Sequence, residues 1–181
     1  MRSAITLIAM FLIAATAAFA RPQLRSQYVP GADGTRLAVD VWLPAASPET
    51  KRWPAIVQFT RYWRGFRGND GSLDETPVAD FFTAAGYAVV VVDVRGTGAS
   101  LGARTTEFSD AEVADFAAVF DWITAQPWSN GRVATLGSSY LGNTAELAAM
   151  TAHPELRAVV PRFSDFSEYR HAVRPGGVRN A

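Results

Sequence analysis

Between Leu136 and Asn143 the chain reads Gly137-Ser138-Ser139-Tyr140-Leu141-Gly142, two serines framed by glycines. A serine at a sharp corner between strand and helix exposes its hydroxyl. The next backbone N–H, at the helix N-terminus, can then stabilise an oxyanion. Such a group does acyl transfer through a covalent serine intermediate. A glycine two residues before the nucleophile selects Ser139, paired with Gly137; Ser138 would need one where Leu136 stands. The match to G-x-S-x-G is incomplete, because position 141 is leucine and the glycine comes one residue late. The competing reading is a Gly/Ser turn that caps a helix.

A serine nucleophile needs a base, and the chain has two histidines. A helix from Tyr140 to Thr151 would put His153 ~18 Å from Ser139 at ~1.5 Å per residue, too far to serve. His171 follows the last strand and is not excluded by distance, with Asp165 as a candidate to orient it. Histidines of triads on this architecture, however, normally follow the final strand of the sheet. A second group with chemistry is Arg61-Tyr62-Trp63-Arg64-Gly65-Phe66-Arg67-Gly68. It follows a short strand whose loop lies beside the serine corner in α/β domains and commonly supplies an oxyanion donor. The Tyr62 hydroxyl is suited to that. The plainer alternative is a surface loop of arginines lying over aromatics. Asp93-Val94-Arg95-Gly96-Thr97-Gly98-Ala99-Ser100-Leu101-Gly102 invites a dinucleotide reading but fails it. Its third glycine would be Leu101, and the next helix starts only near Ser109, too late to face a pyrophosphate. An arginine-braced turn is the expectation.

The elements that must position these groups alternate. Leu37, Val39, Val41 and Leu43 share a face at period two, which predicts an amphipathic strand in an N-terminal hairpin. Ala55–Thr60 reads as a buried strand. Thr76-Pro77 reads as the start of a helix with Val78, Phe81, Phe82 and Ala85 on one face and Gly86 as its stop. Tyr87–Val92 is apolar at every position, as a parallel strand covered on both sides would be. Ser109-Asp110-Ala111-Glu112 is a capping box opening a helix that ends before Pro127. A strand over 132–136, a helix over 140–151 and a strand over 158–160 complete an α/β pattern with a mostly parallel sheet.

The composition excludes several classes. The chain has 181 residues, 49% hydrophobic, with 17 basic and 17 acidic side chains. A net charge of zero argues against a dedicated nucleic-acid binder. With no cysteine there are no disulfides, thiolate metal sites or cysteine nucleophiles. Lys51 is the single lysine, so no phosphate-gripping G-x-x-x-x-G-K-[ST] loop exists. Arg2, the apolar run Ile5–Ile13 and Ala18-Phe19-Ala20 form a basic, apolar and small-x-small series. This is the pattern of a secretory signal peptide over residues 1–20, and its apolar core is shorter than the ~20 residues of a membrane span. The expected product is an exported, periplasmic or secreted chain without a stable span.

Several stretches together resemble the cocaine esterase/X-prolyl dipeptidyl-peptidase (CocE/NonD-type) group of α/β-hydrolases, which includes α-amino-acid ester hydrolases. They are Asp33–Leu37, Thr60-Arg61-Tyr62, Asp93–Ser100, Gln126-Pro127-Trp128-Ser129-Asn130-Gly131-Arg132-Val133, Gly137–Gly142 and Pro175-Gly176-Gly177-Val178. The elbow of that group is G-x-S-Y-x-G, which accounts for the late glycine. The resemblance implies Ser139 as nucleophile, Tyr62 as side-chain oxyanion donor and the Tyr140 N–H as backbone donor. The implied substrates are small esters, or X-prolyl or α-amino acyl amides, with no resident cofactor or metal.

The family's triad Asp and His come after a helical cap, and a β-sandwich ends the chain; neither is expected within these residues. Residues 25–181 are therefore expected to be the N-terminal portion, about six strands, of an α/β-hydrolase sheet. Two consequences are expected: no turnover by this portion alone, and an unpaired sheet edge near Ala158–Val160. The alternative of a different class is a non-catalytic exported protein on the same half-fold.

Overall fold

The computed structural model describes residues 22–45, 51–65, 77–165, 167 and 169–178. The signal-peptide stretch, Thr76 and the second half of the aromatic–basic loop lie outside them. Six strands form one mixed sheet in the order β1-β2-β4-β3-β5-β6. They are β1 (Gln23–Pro30), β2 (Arg36–Leu43), β3 (Trp53–Thr60), β4 (Ala88–Asp93), β5 (Ser129–Ser138) and β6 (Leu156–Arg162). β1 and β2 make the antiparallel hairpin and β2 is antiparallel to β4, whereas β4–β3, β3–β5 and β5–β6 are parallel. This is the α/β sheet anticipated from the alternation of periods.

Among the described residues, three α-helices sandwich it. α1 (Pro77–Ala84) packs Ala79, Val78 and Phe82 against Trp42, Ile56, Val89 and Val91 on one face. α2 (Asp110–Thr124) and α3 (Tyr140–Leu147) cover the other, where Phe116, Val119, Phe120 and Ile123 meet Val39, Val41, Val57, Phe59, Val90 and Val92. Val89–Val92 of β4 are buried on both faces, each side chain contributing ~1.5–3 kcal/mol.

The forward half of the capping box forms, with Ser109 Oγ accepting from the Glu112 N–H at 3.3 Å, while Glu112 Oε2 accepts from the N–H of Phe108, one residue before the cap, at 2.6 Å. Two local expectations change. β2 is buried on both sides rather than amphipathic, because Ala38, Asp40 and Trp42 are also covered. The helix after the serine corner shortens, its last turn tightening into a 3-10 turn over Ala148–Thr151.

The segment after β4 is the braced turn. Arg95 donates to Asp115 at 2.8 and 2.7 Å and to Asp33 at 3.1 and 3.3 Å. Ser100 Oγ donates to the Asp93 carbonyl and accepts from the Ala38 N–H.

Candidate active site

One residue, Ser139, separates the end of β5 from the start of α3. Its backbone sits at φ 59°, ψ −128°, a conformation that costs a non-glycine residue ~1–3 kcal/mol. The surroundings enforce it. The Ser139 N–H donates to the Arg162 carbonyl at 3.0 Å, and its own carbonyl accepts from the Asn143 N–H at 2.9 Å. A Cβ on Gly137 would stand 2.1 Å from the Leu141 carbonyl oxygen, and one on Gly142 would stand 2.2 Å from that of Arg162. Both glycines are therefore required for β5, α3 and β6 to approach this closely. The Ser139 side chain is exposed and makes no capping bond to α3, which removes the helix-cap reading. The Tyr140 N–H heads the first turn of α3, where an N–H has no intrahelical acceptor.

β3 lies beside β5 in parallel, with Val57 opposite Thr135, so the Arg61–Gly65 segment leaves the sheet at the edge from which Ser139 projects. The Tyr62 N–H donates to Thr60 Oγ1 at 2.9 Å. The Tyr62 ring meets the Tyr140 ring edge to face, centroids 5.9 Å apart. Two of the three expected residues, Tyr62 and Tyr140, are thus in contact, and the third, Ser139, is the chain neighbour of Tyr140.

Tyr140 is buried under Phe108, which stacks on it at 5.0 Å, and its hydroxyl accepts from Arg104 at 3.2 Å. Burial, with the Glu112 carboxylate next, pushes this phenol well above the ordinary tyrosine range, so it stays neutral. Arg104 also holds Glu112 at 2.7 Å and Glu107 at 3.2 Å. Four of the five described non-glycine residues with positive φ, Trp63, Phe108, Ser139 and Phe163 at 47° to 88°, lie at this edge, and the fifth, Ala152, lies beside His153. Backbone strain of this kind collects where geometry serves a task.

Two arginines of the segment have structural partners. The Arg61 guanidinium donates to the Tyr62 hydroxyl at 3.0 Å and pairs with Glu107. It also lies 4.9 and 4.7 Å from the ring centroids of Tyr62 and Tyr140. Arg64 Nε is 3.0 Å from Asp40 on β2, and its Nη1 is 2.6 Å from Asp93 at the end of β4. Those acids are 5% and 1% exposed, so the segment carrying Tyr62 is tied to the sheet interior by buried charge. Sequence reasoning passed over Asp40, Arg61, Arg64 and Glu107. The available sign was Asp40, an acid in the middle of an otherwise apolar strand, which needs a buried cation.

The histidines do not complete a triad among the described residues. His153 lies beyond α3, its Nε2 3.1 Å from Asp121 and its Nδ1 accepting from the Glu155 N–H, with its ring against Phe120. That places it at the opposite edge of the sheet from Ser139. His171 belongs to a single π turn, Tyr169–Val173, and its side chain lies outside the described residues. Asp165 is exposed and its N–H donates to Asn143 Oδ1 at 2.8 Å. Among the described residues no group of three or more acidic, His or Cys side chains is placed to hold a metal ion.

Comparison with known proteins converges on one group. Residues 33–181 match the family described as X-Pro dipeptidyl-peptidase (S15 family). A Mycobacterium tuberculosis protein that carries the name of a serine esterase is 44% identical over 168 residues, covering 86% of this chain and 27% of the relative. The cocaine esterase of Rhodococcus is 35% identical over 150 residues, covering 82% and 25%. Among solved structures, a CocE/NonD family hydrolase of Staphylococcus aureus superposes with a TM-score of 0.74 at 26% identity, covering 87% of this chain and 30% of that one. An α-amino acid ester hydrolase does so at 0.67 and 25% identity, covering 92% and 30%. The chain thus spans about a quarter of the length of the curated relatives it matches.

Proposed function

The chain belongs to the X-Pro dipeptidyl-peptidase (S15) family of serine esterases and peptidases, and on that premise we propose that it is the nucleophile-bearing part of a serine acyl hydrolase. Ser139 Oγ attacks the acyl carbonyl of an ester, or of an X-prolyl or α-amino acyl amide, and gives its proton to a base. The carbonyl oxygen becomes an oxyanion that accepts from the Tyr62 hydroxyl and the Tyr140 N–H. Collapse of the intermediate expels the alcohol or amine and leaves an acyl-serine, which water hydrolyses. The observation that carries this reading is the strained Ser139 backbone with an exposed hydroxyl that caps nothing. Strain without a local structural return is what a nucleophile elbow requires.

On this reading neither His153 nor His171 serves as the base, so this chain alone performs no turnover. An oxyanion hole without its base keeps only a residual ~10³–10⁴-fold advantage over water. Residues 25–181 belong to the catalytic domain, and residues 1–20 direct export. Among the described residues no helix is long and apolar enough to cross a membrane.

The test is incubation of the 181-residue chain with p-nitrophenyl acetate, followed by intact mass and peptide mapping. One slow acetylation at Ser139, absent in Ser139→Ala, is expected. A chain that is never acetylated there overturns the assignment. Repeated turnover abolished by Ser139→Ala overturns the inactivity and makes His171 the base.

A further inference from the structure

We infer that Arg61 is the positioning residue of the oxyanion hole: its guanidinium occupies the acceptor side of the Tyr62 hydroxyl and so turns the phenolic hydrogen outward, toward the acyl oxygen. The inference rests on the assignment of Ser139 and Tyr62 made above. A phenol carries one hydrogen to donate and an oxygen that can accept at the same time, whereas a guanidinium has donors and no acceptor. In the 3.0 Å contact between Arg61 Nη2 and Tyr62 Oη, the tyrosine can therefore only accept. Its hydrogen is directed away from the arginine. Accepting from a cation also polarises the O–H and makes it a stronger donor.

The position of Arg61 is over-determined, which separates it from a side chain merely lying on the surface. Its guanidinium packs against both tyrosine rings and is paired with Glu107. Glu107 is shared with Arg104, which bonds the Tyr140 hydroxyl. One charged chain, Arg61–Glu107–Arg104, therefore braces the tyrosine that donates through its side chain and the one that donates through its backbone.

The test uses the full 181-residue chain. With tyrosine labelled at the ring carbon bearing the hydroxyl and Tyr62 assigned by Tyr62→Phe, Arg61→Met is expected to shift the Tyr62 resonance. The Tyr28 and Tyr87 resonances should stay in place, and Arg61→Lys should return part of the shift. An unmoved Tyr62 signal overturns the inference. The rate of Ser139 acetylation by p-nitrophenyl acetate gives the functional readout. Tyr62→Phe should slow it about 10²-fold, and Arg61→Met about tenfold. Arg61→Lys should recover most of the rate, and Arg61→Met should cost nothing further in a Tyr62→Phe background. Equal slowing in both backgrounds marks Arg61 as only structural and overturns the inference, as does an Arg61→Met rate equal to wild type. A wild-type chain inert at Ser139 overturns the assignment of function, and the inference falls with it. Arg61→Gln repeats the cycle should the methionine variant fail to fold.

Discussion

A Cβ placed on Gly142 would stand 2.2 Å from the carbonyl oxygen of Arg162, the same oxygen that accepts from the Ser139 N–H. α3 and the end of β6 thus meet through a glycine, and that close approach ties the serine backbone down. Gly142→Ala is expected to destabilise the chain by about 1–3 kcal/mol, the usual cost of overpacking. It should also weaken the Ser139–Arg162 bond. Urea denaturation reads the first effect, and slower exchange of the Ser139 amide in the wild type than in the variant reads the second. Gly137→Ala, whose Cβ would meet the Leu141 carbonyl at 2.1 Å, should behave alike.

Arg64 bridges two acids that are almost wholly buried. Arg64→Met leaves Asp40 and Asp93 facing each other's surroundings without a cation, and a broken buried pair typically costs ~3–5 kcal/mol. The measurement is again the urea midpoint. Because Arg64 stands two residues after Tyr62, the same variant should free the Tyr62 ring from Tyr140. Loss of the ring-to-ring nuclear Overhauser effects would report that release.

How far the sequence reached follows from which interactions are local. The Ser109 cap, the Val89–Val92 run of β4 and the glycine-framed corner at Ser139 depend on neighbours in the chain. Their outlines were legible from composition and period. Tyr62 was legible as a candidate donor because its loop follows a strand beside the corner. The long-range pairs were not. Asp40 meets Arg64 and Asp93 only because β2 and β4 are sheet neighbours, so in sequence Asp40 looked like the polar side of an amphipathic strand. Arg61 and Arg64 looked like surface charge for the same reason. The early end of α3 reflects the 3-10 turn before His153, and Ala152 there adopts φ 47°, which period alone does not reveal.

Acid should find a weakness at Asp33. Hydrogen bonds from Arg95 first, and then from Thr35, hold this carboxyl well below its ordinary value of 3.8. A depressed folded value means the carboxylate adds stability above the unfolded value and loses it as pH falls toward the folded one. Asp33→Asn should therefore lower the urea midpoint at pH 7 and lower it less near pH 2. Since the side chain is exposed, the difference should be small and should shrink in high salt.

β6 pairs with β5 on one side, and among the described residues no strand pairs with its other side. Val160 is 45% exposed and Phe163, just past the strand, 83%. An apolar strand edge of this kind templates further pairing. The isolated chain is expected to associate as concentration rises, and Val160→Lys to suppress that, with light scattering as the readout. A wild-type chain that stays monodisperse at high concentration contradicts this.

Ser139 itself should carry a measurable conflict between stability and chemistry. Its φ of 59° with ψ −128° strains a residue with a side chain, whereas glycine adopts such angles freely. Ser139→Gly removes the nucleophile and the strain together. Against that gain stands glycine's greater freedom in the unfolded chain, ~0.5–1 kcal/mol, set beside ~1–3 kcal/mol of relieved strain. The glycine variant is therefore expected to be more stable than wild type by about 1 kcal/mol. Ser139→Ala, which keeps the Cβ, should gain nothing, although both variants abolish acetylation. If the two variants unfold at the same urea concentration, the corner stores no strain, and the exposed serine loses its strongest structural argument for a chemical role.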